Sequence, residues 1–318
     1  MSLRTAAITL SWLCAVSFGN SAAYAADDAP VDKSAYWLFN PVPDDKLRDL
    51  STDRPGKSHS SITVDAGRVQ VESDFVNYTN DPHGQGNAAT RSITYGAPIF
   101  KLGVSNDIDV EVGLSFFTDL RQSGGDGMPA AGVGGPSNVP PAVQGTGGSG
   151  APSTRARGFG DTFVGLKYNL FGNDGGDTSF AVLPFIKIPT AAPGLGNDRV
   201  EFTVNAPYTI ALPEKFFLVF EPTAGVLRNA TNTRYAPNIG LIVNLSREVF
   251  VKGLTAAVEV AANTSLDNVT NVGVTQVSFD PSLQYLLAKN LQLDVGIYLG
   301  LNRATPRYNP YTGISYRF

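Results

Sequence analysis

The chain has 318 residues, with 33 Gly, 21 Pro and only 16% charged side chains, and its formal net charge is −4. So mild a charge gives no reason to expect a nucleic-acid partner. The single cysteine, Cys14, falls in a leader expected to be removed, so the mature chain has no disulfide, thiolate metal site or catalytic thiol. Mean hydropathy is −0.04, yet no run past the leader approaches 18 apolar residues, which excludes helical membrane spans.

The leader comes first in chain order. Arg4 gives a positive start, residues 6–18 are apolar, and Ala23-Tyr24-Ala25 is a small-x-small cleavage site. This pattern predicts a secretory signal peptide over residues 1–25. Its apolar run is short for a membrane anchor. Leu13 stands before Cys14 where a lipoprotein signal needs a small residue. Residues 26–65 follow, with an aromatic stretch at Tyr36-Trp37-Leu38-Phe39, a charged one at Asp44-Asp45-Lys46-Leu47-Arg48-Asp49, and a turn signal at Asp53-Arg54-Pro55-Gly56. This segment reads either as a periplasmic extension or as a plug.

From residue 66 onward the chain alternates. Val69, Val71 and Phe75 oppose Gln70, Glu72 and Asp74; residues 92–104 alternate less well and contain Pro98; Ile108, Val110, Val112, Leu114 and Phe116 oppose Asp109, Glu111, Gly113 and Ser115. The period of two puts such sets on opposite faces of a strand. Residues 120–157 break the pattern, being dominated by Gly, Pro, Ala and Ser. They read as a long outer loop, the alternative being a linker between domains. Alternation resumes in residues 164–170, 180–188, 200–210, 218–226, 235–245, 254–263, 276–287 and 291–301. The chain ends on Tyr308 to Phe318, where Ile314, Tyr316 and Phe318 oppose Gly313, Ser315 and Arg317.

These segments predict an all-β fold, a transmembrane antiparallel β-barrel of about 12 strands of the bacterial outer-membrane type. An even count places both chain ends on one side. The connections agree, with long ones after odd strands (79–91, 120–157, 189–199, 229–234, 267–275, 302–307) and brief ones after most even strands. A soluble β-sandwich or propeller also alternates, but its water-facing positions would be densely charged. Here they are mostly Ser, Thr, Asn, Gln and Gly.

A barrel turns the list of strand charges into a lumen. Glu72, Asp74, Asp109, Glu111, Glu201, Glu221, Glu259, Asp280 and Asp294 are expected to point inward, with Lys101, Lys167, Lys187 and Arg317. The alternative is a lipid-facing charge, which costs about 2–4 kcal/mol for Arg or Lys at the midplane. These groups either brace the wall in pairs or line a selective pathway, with Lys167 and its neighbouring carboxylates at the constriction. Tyr168, Tyr208, Tyr285 and Tyr316 face outward, as girdle or plain lipid-facing residues.

Enzyme signatures are poor. The chain has two histidines, His59 and His83, neither in a strand. The glycine-rich Gly158-Phe159-Gly160-Asp161 opens a strand rather than a helix, against a phosphate loop. No catalytic residue, cofactor or metal is expected.

Three stretches carry a resemblance: Leu50-Ser51-Thr52-Asp53-Arg54-Pro55, then Gly67-Arg68-Val69-Gln70-Val71-Glu72, and later Gly158-Phe159-Gly160-Asp161-Thr162-Phe163-Val164-Gly165-Leu166-Lys167-Tyr168-Asn169-Leu170-Phe171. They are similar to a family of outer-membrane transporters associated with phenol meta-pathway degradation genes. The resemblance covers residues 50–318 and implies aromatic substrates. The expected function is passive uptake of small solutes, aromatic or otherwise hydrophobic. The alternative is a structural, adhesive or receptor barrel acting through its loops. The expected partners are the lipid bilayer and lipopolysaccharide, the barrel assembly machinery through Phe318, and a small-molecule solute, with the barrel a monomer.

Overall fold

Alternating side chains need a sheet that shows one face to lipid and the other to a shielded interior, and the chain builds it by closure. The computed structural model describes residues 32–82, 89–123, 154–229, 232–266 and 274–318. The expected signal peptide, His83 and the middle of the expected outer loop lie outside the described residues.

The strand segments are β1 (Val69–Asp81), β2 (Ala89–Gly103), β3 (Ile108–Gly113), β4 (Phe117–Ser123), β5 (Thr154–Gly158), β6 (Thr162–Phe171), β7 (Thr178–Ile188), β8 (Glu201–Asn205) and β9 (Tyr208–Leu212). They continue as β10 (Phe216–Arg228), β11 (Tyr235–Glu248), β12 (Leu254–Ser265), β13 (Val274–Ala288), β14 (Leu291–Gly300) and β15 (Tyr308–Arg317). Three pairs are halves of one interrupted strand: β3 with β4, β5 with β6, and β8 with β9. Each pair shares its neighbours, so the wall has twelve antiparallel strands. The break between β8 and β9 falls at Ala206-Pro207, where Pro has no N–H for the ladder. β15 pairs with β1, which also pairs with β2, so the barrel closes on itself, while the half-strand β5 at the rim pairs with β4 alone among the described residues.

The weak alternation in residues 92–104 has a local cause. Phe75 is an extra residue of β1 against β15, since Asp74 pairs with Gly313 and Val76 with Thr312. Opposite it Gly96 takes φ +62°, which suits a residue without Cβ. The bulge inverts parity, so Thr94 is buried above it and Ala97, Ile99 and Lys101 below it.

Strand pairing also runs past the ends read from sequence, with β4 reaching Ser123 and β5 starting at Thr154, inside the stretch expected to be loop. The apolar-outward signal stops there because the outward residues become Arg91, Asp119, Arg121 and Arg155. Backbone hydrogen bonds do not depend on that signal.

The outward faces carry large half-exposed apolar side chains, among them Leu166, Tyr168, Phe202, Phe220, Leu241, Val258, Leu283, Tyr285 and Val295. On a soluble protein so broad an apolar surface would aggregate; on a closed barrel it is the band that meets lipid. The inward faces are buried and polar.

Candidate functional site

The lumen is the one place where most of the chain's strand charges meet. Its middle is occupied by the segment before β1. Residues 36–48 lie by the short turns: the Leu38 N–H donates to the Val104 carbonyl at 2.9 Å, and Arg48 reaches Asp174 at 2.8 and 3.1 Å. The chain then passes among the inward side chains and returns through Val64 to Gly67, whose N–H donates to the Gly103 carbonyl at 2.8 Å.

Within that excursion the wall carboxylates accept hydrogen bonds from the segment nearly one after another. The Asp53 N–H donates to Glu72 at 2.9 Å. Arg54 holds Asp294 with two donors, Nε at 3.0 Å and Nη2 at 2.6 Å, and Asp74 with Nη1 at 2.5 Å. Such a fork matches the planar guanidinium, which a lysine would not reproduce. The Lys57 and Ser58 N–H groups donate to the two oxygens of Glu259, at 2.9 and 3.0 Å. The His59 N–H donates to Glu221 at 2.6 Å, and its Nδ1 lies 2.8 Å from the other oxygen. The Val64 N–H donates to Asp109 at 2.9 Å. A segment without regular secondary structure thereby satisfies its own backbone donors in a buried place.

The lysines invert the pattern. Asp53 of the segment accepts from both Lys101 and Lys167, the latter at 3.0 and 3.2 Å. Lys101 also meets Glu72 at 2.5 Å, and Lys167 meets Glu111 at 3.3 Å. These groups are all at most 2% exposed, so each charge depends on its partner.

Arg54 fits because of a glycine. A Cβ on Gly313 of β15 would lie 2.3 Å from Arg54 Nη2 and from the Ser73 carbonyl oxygen. Above it Tyr298 and Tyr311 stack at 4.7 Å, with Lys57 Nζ 4.7 Å from the Tyr298 ring centre. Asp280 accepts from the Tyr311 hydroxyl at 3.2 Å.

The remaining candidates lie apart. Arg317 is at the end where the chain terminates, 3.4 Å from Asp65. Lys187 and Glu201 form a second network at the opposite mouth: Lys187 Nζ is 2.9 Å from Glu201 and 3.3 Å from Asp161, and it donates to Asn197 at 2.6 Å. Asn197 in turn donates to Glu201 at 2.8 Å. The loop carrying Asn197 is also held by Leu195, buried against Leu120, Ala156, Ala191 and Ala192.

Reading the strands alone misses every partner in the segment, Asp53, Arg54, Lys57, Ser58, His59, Val64 and Asp65, and also Asp161. The signal was present in the Asp53-Arg54-Pro55-Gly56 turn, two charges beside a chain-reversing pair. What it lacked was a location.

A closed twelve-stranded wall, lipid-compatible outside and polar inside, defines a bacterial outer-membrane β-barrel. The profile of the family described as "Putative MetA-pathway of phenol degradation" matches residues 52–318, and the chain belongs to that family. The match begins at Thr52, so it includes the segment inside the lumen. No curated protein matches the chain in sequence. Among solved structures, the chain is similar to an outer membrane channel from Pseudomonas putida F1, at 12% identity over 79% of this chain and 95% of that one, with a TM-score of 0.54. At that identity the likeness is one of fold. The translocator domain of the autotransporter NalP from Neisseria meningitidis (10% identity, 79% and 88% covered, TM-score 0.45) and the NanC porin (6%, 78% and 98%, TM-score 0.42) also match.

Proposed function

We propose that the protein is a passive outer-membrane channel for small solutes, aromatic or otherwise hydrophobic ones, and that residues 51–65 are its plug. One observation carries this reading. Six wall carboxylates, Glu72, Asp74, Asp109, Glu221, Glu259 and Asp294, accept hydrogen bonds from a stretch of chain outside the wall. A barrel meant only as scaffold could satisfy its lumen from strand to strand. This one relies on a segment that can leave without opening the sheet. The aromatic solute class follows the family's link to phenol degradation. Lys101, Lys167, Glu111 and Asp53 are the constriction in this reading, and the wall acids line the path once the plug has moved.

Planar-bilayer recording tests it. The intact protein is expected to conduct little and the variant lacking residues 51–65 severalfold more, with uptake of phenol following the conductance. A closed barrel in both forms rejects the channel.

A second reading is favoured by the burial of the inward side chains, which leaves the described lumen filled. Here the barrel is a scaffold whose outer loops are adhesive or receptor surfaces. Deleting loop 124–153 separates the two: lost surface binding with intact uptake favours the scaffold.

The reading includes no catalytic step. His59 is buried and committed to Glu221, and absence of lipid hydrolysis in detergent is the expected result. It also takes the barrel as a monomer and Phe318 as the residue read by the assembly machinery. Phe318 is exposed, and its N–H donates to the Val69 carbonyl at 2.9 Å where the last strand meets the first.

A further inference from the structure

The outward face of β2, β4 and β5 carries an arrangement that lipid contact does not explain. Arg91 pairs directly with Arg121, and Arg121 pairs directly with Arg155. Three arginines therefore stand side by side across three neighbouring strands. Their faces are settled by the alternate residues: Thr90, Ser92, Leu120 and Gln122 are buried inward, and Ala156 packs inward against Leu120. Arg157 adds a fourth cation two residues along β5.

Like charges directly opposite on a sheet repel. One carboxylate lies within 4 Å of three of them. Asp119 accepts from Arg155 Nε at 2.8 Å and from its Nη2, and from Arg157 Nε at 3.1 Å, while Arg121 Nε stays 3.8 Å away. Arg91 has no acidic partner among the described residues. Four cations less one anion leave a local charge of three. The arginine side chains are well exposed, 64% for Arg121, 40% for Arg155 and 50% for Arg157.

The level of the stripe names its partner. Just below it on the same faces are Tyr95 and Phe117, both exposed, with ring centres 6.4 Å apart. Aromatic rings of this kind mark the boundary between hydrocarbon and headgroups. The stripe is at the end of the barrel opposite the chain terminus, beside the longest connection, which is the outer end. Cations one step (Arg157) and two steps (Arg91, Arg121 and Arg155) beyond aromatic rings, facing away from the barrel, meet the headgroups of the outer leaflet. In a bacterial outer membrane these are phosphorylated glycolipids.

We propose that Arg91, Arg121, Arg155 and Arg157 form a binding site for the phosphate groups of outer-leaflet lipopolysaccharide, with Asp119 holding two of the guanidinium groups in place. Guanidinium groups bind phosphate through paired N–H donors, and a row at strand spacing presents several such forks to one headgroup. Cross-strand repulsion is what the bound anion relieves.

The test uses the full-length protein in detergent, with thermal unfolding as readout. The probes are lipid A with both phosphates, dephosphorylated lipid A, phosphatidylglycerol and inorganic phosphate. Lipid A is expected to raise Tm more than any other probe. The variant R91Q/R121Q/R155Q is expected to match or exceed wild type in Tm without lipid, because repulsion is gone, and to lose the preference for phosphorylated over dephosphorylated lipid A. The order of the two proteins then reverses when lipid A is added. Should the triple variant not fold, R91Q alone carries the test, and a partial loss of preference is expected. Equal stabilisation by dephosphorylated lipid A, or an unchanged preference in the variants, overturns the site. Equal stabilisation by phosphatidylglycerol or by inorganic phosphate overturns the assignment to lipopolysaccharide.

Discussion

Two of the buried ion networks among the described residues differ in where their chain comes from. At the mouth, Asp161, Lys187, Asn197 and Glu201 belong to the β6–β7 hairpin, the loop that follows it and the first residue of β8. In the middle, Asp53 and Arg54 reach Lys101, Lys167, Asp74 and Asp294, partners 20 to 240 residues distant. The first network can form once β6, β7 and β8 have paired, neighbours in sequence, and its product is a fixed loop. The second exists only when the closed wall and the inserted segment are both in place. The same pairing chemistry thus anchors a loop at the mouth and holds an inserted segment in the middle.

This contrast is most sharply broken at Lys101. Lys101→Met leaves Asp53, Glu72 and Glu111 buried with one cation fewer, which costs about 3–5 kcal/mol. The expected result is a large fall in the temperature at which detergent-solubilised protein loses its folded gel mobility, together with raised conductance. A folded, stable, non-conducting variant would show that the middle network does not hold the segment.

Lys187→Met is expected to cost less, about 1–3 kcal/mol, because Asn197 still bonds Glu201. It should loosen loop 189–199 to protease and leave conductance unchanged. The networks share no partner, so the double variant should lose the sum of the single effects within about 0.5 kcal/mol. A larger departure would mean that the networks are coupled.

The smallest effect belongs to the turn below the segment. Asp174 is partly buried, which works to raise its pKa. The hydrogen bonds from Arg48 and Asn106 outweigh that and hold it at about 2, below the ordinary 3.8. A lowered carboxyl pKa stabilises the folded state at neutral pH, and the contribution is lost as pH falls from 3.8 towards about 2. Asp174→Asn should change stability by about 0–1 kcal/mol and flatten the acid limb of an unfolding curve. An acid limb identical to wild type would show that other carboxylates carry it.

Much of this architecture is legible from alternation alone. In β12 the outward Val258 and Val260 flank Glu259, and in β14 Leu293 and Val295 flank Asp294, so the face of each acid is fixed by its neighbours. Legibility fails where parity changes or where the outward residue is not apolar. Phe75 and Gly96 invert the pattern across a bulge, and Arg121 and Arg155 are strand residues that look like loop. The segment before β1 has no period at all, so its charges had no face to be assigned to.

The sequence by itself determined the compartment, the closed antiparallel wall and the direction of its charges, because a period of two is a local property that lipid and water read residue by residue. Only the tertiary structure decided that Arg54, Lys57 and His59 are the partners of acids on four strands, and that Arg91, Arg121 and Arg155 stand abreast. Both facts depend on which residues of distant segments come level with one another. That is fixed by register and closure, and neither can be read from a strand in isolation.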